Sequence, residues 1–175
     1  MMEDLSLHIL DIAENAVTAG ATRVLIAVNE NASRDRLTFR VTDNGRGMSV
    51  EERRRALDPF FTTGRKRTGL GLPLLAQTAE ICGGRLTIRS RPGEGTRIAA
   101  AFPFAHVDRP PLTRMAETMM TLIFGHPGVA FGYRHTRNGL CFSILWAGGK
   151  GGTSPARILA VRESLKDGLA RIGAS

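Results

Sequence analysis

The stretch Asp43-Asn44-Gly45-Arg46-Gly47-Met48 constrains this chain more than any other. It follows a run that alternates as a strand, with Leu37, Phe39 and Val41 on one side and Thr38, Arg40 and Thr42 on the other. It precedes Ser49-Val50-Glu51-Glu52, a helix start with Ser at the N-cap and Glu three residues on. A carboxylate therefore stands at a strand end, followed by two glycines at a spacing of two. Glycines there allow positive φ and close approach of a flat ligand, because no Cβ intervenes. Asp43 can accept a hydrogen bond from an exocyclic amine, which is the chemistry of holding an adenine edge. Taken alone, the same pattern also describes an ordinary strand-to-helix turn with an Asx cap.

The flanks add to it. Residues 5–19 are expected to form a helix, with Leu5, Ile9, Ile12 and Ala16 as its apolar stripe and Gly20 ending it. His8, Asp11 and Asn15 fall together on another face. An amide oxygen and a carboxylate four apart can reach a metal-bound phosphate, although a solvated polar face has the same spacing. Residues 22–29 alternate as a strand. Asp58 to Thr63 breaks the helix after the glycine turn, and Gly64-Arg65-Lys66-Arg67-Thr68 is short and basic, as a mobile lid would be. Gly69-Leu70-Gly71-Leu72-Pro73 then opens a helix, and free N–H groups at a helix start attract anions. Two strands, 85–91 and 96–104, join through Pro92-Gly93-Glu94-Gly95. After a proline-bearing linker come a Met-rich helix over 112–124, a hairpin over 129–135 and 140–146, and a final helix capped by Ser154.

Composition excludes several classes. Of 175 residues, 42% are apolar, enough for a sizeable core. No apolar run is long enough to span a bilayer, and the first residues do not resemble a signal peptide, so a cytoplasmic protein without membrane contact is expected. Cys82 and Cys141 are too isolated for a disulfide framework or a metal cluster and read as reduced structural thiols. The net charge is +8, nearly all from arginines scattered along the chain; with 6% aromatics that do not interleave, nucleic-acid binding is not expected. Phosphate-rich small ligands suit the charge better.

In joint order and spacing, residues 5–104 resemble the GHKL ATP-binding superfamily of histidine-kinase catalytic domains, gyrase-type and MutL-type ATPases and anti-sigma serine kinases. The resemblance implies a mixed α/β (α+β) fold, a two-layer α/β sandwich of the Bergerat type, with ATP and Mg²⁺ as ligands. It implies that Asn15 binds Mg²⁺ and that Asp43 takes the adenine amine, with Gly45, Gly47 and Met48 beside the ring. It further implies that Phe60 and Phe61 form the F-box, that Arg65 and Lys66 reach the γ-phosphate, that Gly69, Leu70, Gly71 and Leu72 hold phosphates, and that Thr96 supports the adenine. Gyrase and MutL types place Glu four residues before the Mg²⁺ Asn, as a general base, where histidine kinases usually place Asn. Here it is Asp11, the expected catalytic residue.

An ATP-binding domain over 1–105 and a helix–hairpin–helix extension over 106–175 are thus expected, with linkers near 106–111 and 147–153. The expected activity is transfer of the γ-phosphoryl group to a separate protein. An ATP-hydrolysing switch and a non-catalytic ATP sensor are the alternatives. The extension is expected to serve packing, self-association into a homodimer, or a regulatory protein partner.

Overall fold

The computed structural model of the chain describes residues 4–58, 71–149 and 154–174. Helix α1 (Leu5–Thr18) is followed by the antiparallel pair β1 (Arg23–Asn31) and β2 (Arg36–Asp43), then by short α2 (Val50–Arg55). Helix α3 (Gly71–Ile81) leads into the hairpin β3 (Arg85–Arg91) and β4 (Gly95–Phe102). The chain ends with α4 (Met115–Gly125), the hairpin β5 (Ala130–Arg137) and β6 (Leu140–Trp146), and α5 (Pro155–Arg171).

The strands of the described residues form one sheet, in the order β3-β4-β2-β1-β5-β6. Strand alternation divides it into two faces. Val24, Ile26 and Val28 of β1, Leu37, Phe39 and Val41 of β2, and Phe131 and Tyr133 of β5 are buried with α1, α3, α4 and α5 in one core. The opposite residues are exposed or half-buried. The result is a two-layer α/β sandwich, as the sequence implies. The expected stripe of α1 is buried, and so is the Met face of α4, through Met115, Met119, Leu122 and Ile123. Of the two free cysteines, Cys82 is buried, but Cys141 is exposed on β6, so only the first serves the core.

The C-terminal hairpin is hydrogen-bonded into this sheet. β5 pairs in parallel with β1, from Arg23 opposite Ala130 to Glu30 opposite Arg137. A buried polar chain locks that junction: the Tyr133 hydroxyl lies 2.7 Å from His135 Nδ1, and His135 Nε2 lies 2.7 Å from Glu30 Oε1. Burial, reinforced by the Glu30 charge, holds the Tyr133 hydroxyl protonated well above its ordinary range. A hydroxyl that keeps its proton can share it with Nδ1, while Nε2 faces the Glu30 carboxylate.

The other end of the extension is tied to the start of α1. Asp4 caps that helix, its Oδ1 accepting from Ser6 N–H at 2.7 Å, and its Oδ2 accepts from the Thr113 hydroxyl at 2.6 Å. Leu5 N–H donates to Pro111 O at 2.8 Å. Burial works to raise the Asp4 carboxyl, but hydrogen bonds from Thr113 and Ser6 outweigh it and hold the group below its ordinary value. A carboxyl lowered by folding stabilises the fold above its unfolded value of about 3.9 and loses that contribution as pH falls through the folded value. Asp4→Ala is expected to cost about 1–3 kcal/mol at neutral pH, from the lost cap and the unpaired Thr113 hydroxyl. Urea unfolding at neutral pH and again below about pH 3.5 checks it, because the difference from wild type should shrink at the lower pH.

Candidate functional site

A cavity of about 280 Å³ opens between α1, the end of β2, the turn after it and the start of α3. Each wall has a local cause. Ile9 and Ile12 are buried against the sheet, which rotates Asp11 and Asn15 toward the cavity rim. Asn15 Nδ2 donates to Asp11 Oδ2 at 3.4 Å, so the two side chains lie along one line of the helix. Asp11 also meets α3: a Cβ on Gly71 would lie 1.9 Å from Asp11 Oδ2. The absent side chain at Gly71 is what lets the helix start approach the carboxylate. N–H groups and the favourable dipole of that 11-residue helix then point at the same space.

The opposite wall is the glycine turn. Asp43 ends β2, and its Oδ1 accepts from Gly45 N–H at 2.8 Å. Burial raises the Asp43 carboxyl above its ordinary range, opposed by hydrogen bonds from the backbone of Gly45 and Thr96. A half-buried carboxylate oriented by backbone donors keeps acceptor capacity for a further donor. Gly47 is required by the protein itself. It has φ +68°, and a Cβ there would lie 1.9 Å from the carbonyl oxygen of Arg91. The turn thus nests against the β3–β4 hairpin, and Gly93 N–H donates to Arg46 O at 2.7 Å.

The expected residues Asp11, Asn15, Asp43, Gly47, Met48, Gly71, Leu72 and Thr96 all border the cavity. Gly45 is buried behind Asp43, where its N–H orients the carboxylate. Phe60, Phe61, Arg65, Lys66, Gly69 and Leu70 lie outside the described residues. His8 shares the helix face of Asp11 in projection but is buried; burial favours its neutral ring, opposed by the backbone of Gly71. Among the described residues, no cluster of three or more His, Cys, Asp or Glu could cage a metal ion. A magnesium ion, which keeps waters and takes phosphate oxygens, needs no such cage and is matched by the amide oxygen of Asn15.

Three further residues escaped the sequence reading. Ser90 Oγ accepts from Met48 N–H at 2.8 Å, donates to Gly95 O at 2.9 Å and lies 2.8 Å from Thr96 Oγ1. It is a hydroxyl bridge between the turn and the hairpin, and an isolated serine in a strand carries no signal for that. Asn44 Oδ1 accepts from the N–H groups of Thr22 and Arg23 at 3.0 and 2.9 Å, clamping the turn to β1. Arg46 pairs with Glu52 at 2.9 Å across the cavity rim.

These contacts set opposite expectations for two neighbours. Gly47→Ala should lower stability by about 2–4 kcal/mol, from positive φ and the Arg91 clash. Asp43→Asn should leave stability unchanged or raise it. A carboxyl whose folded value is raised stabilises below its unfolded value and loses that contribution as pH rises through the folded value, so its charge is a cost at neutral pH. Denaturant unfolding of both variants at neutral pH decides the matter.

The chain is similar to known proteins in sequence and in fold. Residues 3–106, more than half of the chain, match the family described as histidine kinase-, DNA gyrase B- and HSP90-like ATPase. The sensor protein kinase FleS of Pseudomonas aeruginosa is 37% identical over 109 residues, which are 62% of this chain and 27% of that protein. The alginate biosynthesis sensor protein KinB of the same species is 34% identical over 95 residues, 53% of this chain and 16% of that one. The chain therefore spans about a quarter or less of these two relatives. The solved MutL ATPase domain of Aquifex aeolicus, complexed with ADP, superposes over 93% of this chain and 70% of its own with a TM-score of 0.59. At 15% identity that likeness speaks for the fold. No helix among the described residues is long and apolar enough to cross a membrane. With the family match and the cavity together, the chain belongs to the histidine kinase-, DNA gyrase B- and HSP90-like family, as a GHKL ATP-binding domain.

Proposed function

We propose that the protein binds ATP with Mg²⁺ and passes the γ-phosphoryl group to a separate protein. The observation that carries this reading is the Asp11 carboxylate, set 3.4 Å from Asn15 and against the N-terminus of α3, with Asp43 across the cavity. One wall suits an adenine and the other a phosphate tail.

In this reading the adenine amine donates to Asp43, whose carboxylate Gly45 N–H already orients. That bond favours the charged carboxylate and offsets its desolvation. Thr96, steadied by Ser90, offers a hydroxyl beside the base. The first N–H groups of α3 take phosphate oxygens. Asn15 would hold Mg²⁺ through its amide oxygen, and the ion would supply positive charge to offset that of the phosphates. Asp11 accepts the proton of the attacking hydroxyl on the acceptor protein. The new oxygen–phosphorus bond forms as the bond to the departing ADP breaks, and the residues act by position and charge. The same carboxylate suits water as the attacking group, so ATP hydrolysis is the second reading.

The test uses γ-labelled ATP with the pure protein and with cell extract, scored for labelled protein and for free phosphate. Asp11→Asn has nearly the same shape and should keep nucleotide binding while lowering turnover by roughly 10²–10⁴. Asn15→Ala should instead remove the Mg²⁺ dependence of binding. Asp43→Asn should weaken ATP by about 1.5–3 kcal/mol in calorimetric titration. Label appearing only as free phosphate selects hydrolysis. Full turnover in Asp11→Asn would show that Asp11 is not the base.

A further inference from the structure

The face of the sheet that no helix covers is strongly and uniformly basic. Arg36 and Arg40 of β2, Arg85 and Arg89 of β3, Arg97 of β4 and Arg134 of β5 are all exposed there. No Asp or Glu shares those alternating strand positions, since Glu30 and Asp43 belong to the buried phase of β1 and β2. None of the six has an ion pair among the described residues.

The register sharpens the picture. Arg89 stands directly opposite Arg97, and Arg40 and Arg134 flank Ala27 from its two sides. Like charges directly opposite across a ladder are destabilising, and neither Arg89 nor Arg97 has an ion pair among the described residues. Two depressions lie at the ends of the β3–β4 pair. One, of about 410 Å³, is lined by Arg53, Arg89, Arg91 and Arg97; the other, of about 390 Å³, by Arg34, Arg36 and Arg85. The acidic residues lining them are engaged: Glu94 pairs with Arg91 at 3.7 Å, Asp43 Oδ1 accepts from Gly45 N–H at 2.8 Å, and Asp35 Oδ1 accepts from Ala105 N–H at 2.8 Å. From Arg85 to Arg91 the strand spans about 20 Å, so the anion sites are spread over a long, flat surface.

We propose that this open face docks the phosphate backbone of double-stranded DNA, without sequence selection. Charge complementarity over an extended area calls for a polyanion. The residues between the arginines, Thr38, Thr42, Thr87 and Asn29, donate hydrogen bonds of the kind phosphate oxygens take. Among the described residues the face carries no aromatic ring, because Phe39, Phe102, Phe131 and Tyr133 all point into the core. It therefore has no platform on which to stack the bases of a single strand. Its large apolar side chains are Leu25 and Leu145, packed over Gly132 at one corner, whereas a protein partner would want an apolar centre. In sequence these arginines are scattered; strand alternation alone brings them together.

Fluorescence anisotropy of the full chain with a short labelled duplex tests this. Five phosphate contacts give a slope near −4.5 in log affinity against log salt, so binding should fall roughly 10²–10³-fold between about 50 and 200 mM salt. The variant Arg40→Gln/Arg89→Gln/Arg134→Gln should bind at least about tenfold more weakly at the lower salt and lose about three from the slope. Arg162→Gln/Arg171→Gln, on the exposed side of α5, should bind as wild type does. Thermal unfolding shows whether each variant is folded. The proposal is overturned if the triple variant binds the duplex like wild type. It is overturned equally if a single strand of the same length binds more tightly, or if only anionic vesicles or an acidic polypeptide are retained.

Discussion

Burial of one stripe of α1 against β1 and β2 is the constraint on which the rest depends. Leu5, Ile9, Ile12 and Ala16 have one favourable place to go, the apolar surface made by Val24, Ile26, Phe39 and Val41. Once they are there, Asp11 and Asn15 can only face the end of β2 and the start of α3. The glycine turn and Gly71 then close in from two sides, at distances a Cβ would forbid. The cavity is thus a consequence of core packing together with the absence of two side chains. Each charged group on its rim is placed by a neighbour: Asp43 by Gly45, Asp11 by Asn15, Arg46 by Glu52.

The same helix couples this cavity to the C-terminal part of the chain. Its N-terminus is held by Thr113 and Pro111, and Ser6 Oγ accepts from Arg114 N–H at 3.1 Å. Near its other end Glu14 meets His126, after α4, at 2.9 Å. β5 continues the sheet beside β1, with Glu30, His135 and Tyr133 sealed at the junction. Buried polar groups of this kind are costly unless each finds its partner, so the junction favours one register. Movement of α1 on ligand binding would be felt at both of its ends.

A two-layer sandwich leaves one face of its sheet open, and the chain has filled that face with arginine. The helix side takes every large aromatic of the described strands, and the open side takes the cations, with mostly small or polar residues between them and Leu25 and Leu145 at one corner. Cations on such a face keep an uncovered sheet in solution, but directly opposed arginines that lack ion pairs among the described residues go beyond that need.

Local pattern was enough for much of the structure. The 3.6-residue stripe of α1, the alternation of β2, the capping box at Ser49 and the hairpin over 129–135 and 140–146 are short-range features, and each appears with nearly its expected bounds. The order of motifs around Asp43 also sufficed to name the family. What local pattern could not express was anything decided between distant residues. The parallel pairing of β5 with β1 joins segments about a hundred residues apart, and nothing in either strand specifies the other. Ser90 and Asn44 are ordinary residues until the hairpin and β1 arrive beside them. Gly47 reads as room for a ligand, whereas the fold uses it as room for the Arg91 carbonyl. Net charge was plain in the composition, but its collection on one face arises only when a period of two meets a sheet covered on one side.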